Sequence, residues 1–142
     1  MTTKRVHYTV LDHTADMGIR VTGRTLEDLF QNAGQSLMQI LINKRPAGET
    51  SVVRLSIEGE DLSDLMVRWL GEILYLFQGE GRVVMDIHVD AVTPTRIDAG
   101  LHTLPFDQTR HEVVTEIKAV TYHQIDVARK RGRWQATVIF DV

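Results

Sequence analysis

Cysteine is missing from the chain, which excludes disulfides, thiolate nucleophiles and thiolate metal sites. Positive charge is not in surplus either. Sixteen Lys and Arg against nineteen Asp and Glu leave a formal net charge of −3, where a dedicated nucleic-acid binder carries a basic excess. Proline is scarce and glycine scattered, so no stretch reads as a linker between domains. No apolar run reaches membrane-spanning length, and Met1 to Thr9 lacks the apolar core of a signal peptide. A Gly-rich phosphate loop, a Gly-x-Ser-x-Gly elbow and a His-Glu-x-x-His helix are absent too. The expectation is one cytoplasmic domain over residues 1–142, long enough to bury a sizeable core.

What is present is clear periodicity. Tyr8 to Leu11 reads as a short strand, and Gly18 to Thr22 alternates apolar with polar as a second. Thr25 opens a helix as a capping residue with Asp28 three places on, and Leu26, Leu29, Phe30, Ala33, Leu37, Ile40 and Leu41 follow at helical spacing. Asn43 to Gly48, with Pro46, ends it. Val52 to Glu58 alternates like a half-buried strand. Gly59-Glu60-Asp61 then puts acids where a helix N-terminus favours them, and Leu62 to Phe77 is apolar around well over half its circumference. Strands are expected over Arg82 to Val92 and Thr95 to His102. A long hairpin is expected from Glu116 to Ala128 and Arg133 to Val142, turning at Lys130-Arg131-Gly132. The predicted architecture is α+β, two main helices packed on a mostly antiparallel or mixed sheet.

Chemistry concentrates in one pattern. Asp12-His13-Thr14-Ala15-Asp16 is a short acidic turn, and the sequence closes on Asp141-Val142 after an apolar run. If the fold joins the two ends, Asp16, Asp141 and the α-carboxylate of Val142 form a cluster of hard oxygen donors. Such a cluster repels itself unless a proton or a hard cation such as Ca²⁺ or Mg²⁺ neutralises it. Taken singly, Asp16 reads as a turn or cap residue and Asp141 as a polar strand end. His13 reads as a turn histidine bonded to backbone, with metal ligand or acid/base as the functional alternative. His123 falls on the apolar face of the expected strand, which makes a buried neutral histidine the plain reading. Lys118, on the other face with Glu116 and Asp126, reads as solvated surface, or as a group reaching a phosphate or a partner carboxylate. His111 falls in a loop without an interpretation, and Arg129-Lys130-Arg131 with Arg133 reads as a solubilising hairpin tip.

Four segments together resemble the archease family. They are His13-Thr14-Ala15-Asp16 with Gly18-Ile19; Gly59-Glu60-Asp61-Leu62 leading to Trp69-Leu70; Lys118-Ala119-Val120-Thr121-Tyr122-His123; and Val138-Ile139-Phe140-Asp141-Val142. Order, spacing and total length agree. The resemblance implies a non-catalytic accessory protein that activates an RtcB-type tRNA-splicing RNA ligase by promoting its metal-dependent guanylylation and multiple turnover. RNA would be met only indirectly, and no membrane would be involved. It also implies a divalent ion, Ca²⁺ in crystals with Mg²⁺ or Mn²⁺ as alternatives, held by Asp16, Asp141 and Val142. Two rival readings stand beside it: a metal-dependent hydrolase using Asp16 with His13 or His123 on a small phosphorylated substrate, and a general RNA- or protein-binding chaperone.

Overall fold

A computed structural model describes residues 5–11, 16–44 and 48–142. Twelve elements follow in chain order: β1 (Thr9–Leu11), β2 (Asp16–Gly23), α1 (Leu26–Leu41), β3 (Ile42–Lys44), β4 (Ser51–Glu58), α2 (Leu62–Gln78), β5 (Arg82–Thr93), β6 (Arg96–Pro105), β7 (His111–Val113), β8 (Ala119–Val120), β9 (Asp126–Lys130) and β10 (Arg133–Asp141). Every strand pairing described is antiparallel. The strands divide into three sheets rather than one: β1-β2-β10 continuing to both β8 and β9, β4-β6-β5, and the small pair β3-β7.

The helices start where their capping residues stand. The Asp28 N–H donates to the Thr25 hydroxyl at 3.1 Å, and the Asp64 N–H donates to the Asp61 carboxylate at 2.8 Å, each satisfying a first-turn amide that has no helical partner. Both helices pack against strands of the two larger sheets, and their buried stripes meet each other. Gly34 makes that approach feasible, because a Cβ there would lie 2.6 Å from Ile87 and 2.9 Å from Ile73. Trp69 is fully buried at this junction and donates its indole N–H to the Phe30 carbonyl at 2.8 Å.

Two expectations are corrected. The segment after α1 is not simply a helix terminus: Ile42 turns extended and β3 pairs with β7, so His111 belongs to a strand and is buried. Its Nδ1 accepts the Asp107 N–H at 2.9 Å and its ring packs 5.6 Å from Phe106, which makes it a structural pin. The second correction concerns Glu116 to Ala128, which is not one strand. Val120 faces Phe140 and Asp126 faces Thr137, so the five residues 121–125 oppose only the two residues 138–139. The surplus of three is odd, and it inverts the alternation: Ala119 shares the face of Asp141, while Val127 faces buried Ala136. The excess chain leaves the sheet as a turn, with Gln124 in the left-handed region at φ 52°.

Candidate functional site

The distant ends of the chain meet because their apolar alternation admits one register. Met17, Ile19 and Val21 of β2 face Phe140, Val138 and Ala136 of β10, and Ile19, Val138, Ala136 and Phe140 are fully buried. A slip of one residue would turn this whole set to solvent, so burial dictates the pairing. The same register sets Asp16 directly opposite Asp141. Opposed residues of an antiparallel pair share a face with Cβ atoms about 5 Å apart, and like charges placed so repel. Asp16 is half-buried and Asp141 exposed. Val142 follows Asp141 and is 39 % exposed. Among the described residues no group of three or more His, Asp or Glu side chains forms a metal cluster, so the pair stands without a third such side chain from them. Hard oxygen donors of this kind suit Ca²⁺ or Mg²⁺ and fill part of their shells. Asp12 and His13 lie outside the described residues.

Lys118 comes to the same place through its main chain. Its N–H donates to the Asp141 carbonyl at 2.7 Å. The Gln78 amide, at the end of α2, donates to the Ile117 carbonyl at 2.7 Å and to the Lys118 carbonyl at 3.4 Å. The backbone is thus held from both sides while the Lys118 side chain is exposed. Asp126, expected on the same face as Lys118, is instead paired with Lys130 at 3.2 Å. Gln78 was not visible as a functional residue in the sequence, because its role is defined only by a segment forty positions away.

His123 is a correction. It is not buried on an apolar face; it sits exposed in the turn that leaves the sheet, its N–H donating to the Thr121 hydroxyl at 3.2 Å. Thr121 anchors that turn, because its N–H and its hydroxyl both donate to the Ile139 carbonyl, at 3.0 and 2.9 Å. Tyr122 carries the outer contact. Its hydroxyl donates to Asp64 at 2.7 Å, while the other oxygen of Asp64 accepts from Arg68 Nε at 2.8 Å and the Glu60 N–H at 2.9 Å. The Tyr122 hydrogen bond, followed by that from Glu60 and then Arg68, holds the Asp64 carboxyl below its ordinary value. The reverse effect raises Tyr122 and Arg68. This network links the Gly59-to-Leu62 segment to the Lys118-to-His123 segment. The sequence alone did not single out these residues, of which only Asp64 and Arg68 stand at the four-residue spacing of a helical ion pair.

The family model described as "Archease protein family (MTH1598/TM1083)" matches residues 8–142. The chain is 36% identical to the protein archease of Pyrococcus furiosus over 96% of each chain, and 30% identical to that of Methanosarcina barkeri over the full length of both. Among solved structures, the solution structure of protein 1598 of Methanobacterium thermoautotrophicum superposes with a TM-score of 0.74 at 26% identity, covering 95% of this chain and 98% of that one. A Thermotoga maritima structure, described as an archease and possible chaperone, gives 0.64 at 20% identity over 98% and 100%, a likeness of fold.

Proposed function

The chain belongs to the archease family, and from that premise we propose that it is a cytoplasmic accessory protein activating an RtcB-type tRNA-splicing RNA ligase. It promotes the ligase's metal-dependent guanylylation and multiple turnover without itself performing the transfer. The observation carrying this reading is the direct opposition of Asp16 and Asp141 beside the clamped main chain of Lys118. Three of the four family-like segments contribute to that one end of a sheet.

Asp16, Asp141 and Val142 are the residues that would hold a divalent cation, Ca²⁺, Mg²⁺ or Mn²⁺. Bound there, the ion neutralises the facing carboxylates and offers its unfilled positions to oxygens of a partner or nucleotide. Asp16 and Asp141 bring the donors; the β2–β10 register keeps them adjacent at no further ordering cost. Lys118, whose main chain bonds to Asp141, carries an exposed ammonium on a flexible stem, suited to a phosphate oxygen or a partner carboxylate. Gln78 and the Asp141 carbonyl keep that stem's root in place.

The test is a guanylylation assay of a purified RtcB-type ligase at limiting divalent ion, with this protein, its Asp16→Asn and Asp141→Asn variants, or none. Wild-type protein is expected to raise both the extent of guanylylation and the number of turnovers, and the variants to lose this. Unchanged ligase rates with folded wild-type protein sink the reading, as does phosphoester turnover by this protein alone that depends on Asp16.

A further inference from the structure

The cations of the chain are not treated alike by the fold. Arg54, Arg68, Arg96 and Arg110 each meet a carboxylate: Asp90, Asp64, Asp98 and Asp107 respectively. Other cations stand outside such pairs, Arg20, Arg82 and Lys118 among them, but at the end of the β2–β10 ladder away from Asp16 and Asp141 several gather. Among the described residues, Arg5, Arg24, Arg131 and Arg133 enter no ion pair, although each is exposed. Seven residue steps separate Gly23 from Asp16 along β2, roughly 23 Å at the rise of a strand. That is well beyond the screening length of about 8 Å at physiological salt, so the acidic pair does not cancel this field.

Three independent features bring these cations together. Trp134 faces Gly23 in the register, which puts Arg133 next to Arg24 at the strand ends. Gly23 allows that end to press on the first turn of α1, since a Cβ there would lie 2.5 Å from the Leu29 nitrogen. The N-terminal arm is fixed by a two-way clamp: the Val6 N–H donates to the Gln39 side-chain oxygen at 2.7 Å, and the Gln39 amide donates to the Val6 carbonyl at 2.9 Å. Arg5 and His7, on either side of Val6, thereby line one cavity of about 300 Å³ with Arg24, Arg133 and Asn32. Asp28 is the one carboxylate on that lining among the described residues. The row also continues outside the cavity. Lys130 faces Arg133 across the β9–β10 hairpin, and Arg131 sits at its tip, where Arg131 and Gly132 take φ values of 55° and 77° in a tight two-residue turn. Lys130 shares its charge with Asp126; Arg131 does not.

Adjacent like charges repel, and among the described residues the cavity sets a single carboxylate, Asp28, which forms no ion pair with them, against Arg5, Arg24 and Arg133. We propose that this end of the sheet binds the phosphodiester backbone of a single-stranded nucleic acid, with Arg5, Arg24 and Arg133 taking phosphate oxygens in the cavity and Lys130 and Arg131 extending the track. An arginine fork suits phosphate oxygens, and a row of cations about one interstrand spacing apart suits a chain of phosphates better than a single anion. A flexible strand can bend from the cavity onto the hairpin, where a stiff duplex cannot. The site is remote from the carboxylate pair and independent of the ligase reading. The hairpin tip, taken from sequence as a solubilising feature, here becomes the outer part of a contact surface.

The experiment is fluorescence anisotropy of a dye-labelled oligouridylate of about twelve nucleotides, a length typical of single-strand sites, titrated with the full-length protein at increasing salt. Binding is expected at low salt, with log K falling against log salt at a slope of about −2 to −3.5, as three to five phosphate contacts require. Arg24→Glu and Arg133→Glu should each weaken binding by at least about tenfold and flatten the slope by about one. Arg54→Glu, the same change in net charge on the other sheet, should leave it unaltered. Arg24→Gln and Arg133→Gln serve in place of any reversal that fails to fold by thermal melt. Absence of salt-dependent binding, equal loss in Arg54→Glu, tighter binding of a duplex of the same length, or displacement by tripolyphosphate at equal phosphate concentration would each overturn the proposal.

Discussion

The Tyr122 hydroxyl donates to the Asp64 carboxylate at 2.7 Å, across fifty-eight positions of sequence, and so fastens the turn that leaves β8 to the first turn of α2. Asp64 is held below its ordinary 3.8 by this bond first, then by the Glu60 N–H and Arg68. A carboxyl depressed in the folded state adds stability above its unfolded value and loses it as pH falls through its folded value. The stability difference between wild type and Asp64→Asn should therefore be full at neutral pH and shrink below pH 3.8. Urea denaturation across that range checks it. Tyr122→Phe should raise the Asp64 titration midpoint, read by carboxyl NMR, without unfolding the chain.

Asp16→Asn and Asp141→Asn should each leave the metal-free protein as stable as wild type or more so by up to about 1 kcal/mol, because each relieves a like-charge cross-strand pair. Added Ca²⁺ should raise the melting temperature of wild type and not that of either variant, and chelator should remove the increment.

Gln78→Ala should cost about 1 kcal/mol, since it leaves the Ile117 carbonyl without its 2.7 Å donor. It should also speed amide exchange at Lys118, whose N–H bonds to Asp141. Lys118→Ala removes only an exposed side chain, so thermal melts should place it at wild-type stability while ligase stimulation falls. A Lys118→Ala protein that stimulates fully would take the ammonium out of the proposed function.

Trp69→Ala should destabilise by about 3–5 kcal/mol, because it empties the junction of α1, α2 and the sheets. Trp69→Phe restores much of the volume and removes only the indole bond to the Phe30 carbonyl, which lies within α1, for a smaller loss of about 1 kcal/mol. Denaturant midpoints distinguish the two.

Much of the architecture was readable in advance where structure is decided locally. Thr25 and the stripe from Leu26 to Leu41 predict α1, and the observed helix is Leu26–Leu41. Asp61 and the apolar girdle after it predict α2 in the same way. The alternating runs of β2, β4, β5, β6 and β10 also appear close to where they were expected. β3 and β7 were missed because residues 42–44 and 111–113 show no apolar alternation of their own; each pairs only with the other. Glu116 to Ala128 misled for another reason. Its alternation continues through residues that oppose nothing, and only the partner strand reveals that three are in excess.

By itself the sequence determined the two helices, most of the longer strands and the family, because caps, apolar period and short motifs act over a few residues. Tertiary structure alone decided which remote groups became neighbours: Asp16 with Asp141, Gln78 with Lys118, Tyr122 with Asp64, Arg24 with Arg133. Polar side chains scarcely specify their own partners. Burial of Ile19, Val138 and their companions selects a register, and the charges at the ends of those strands are carried wherever that register puts them.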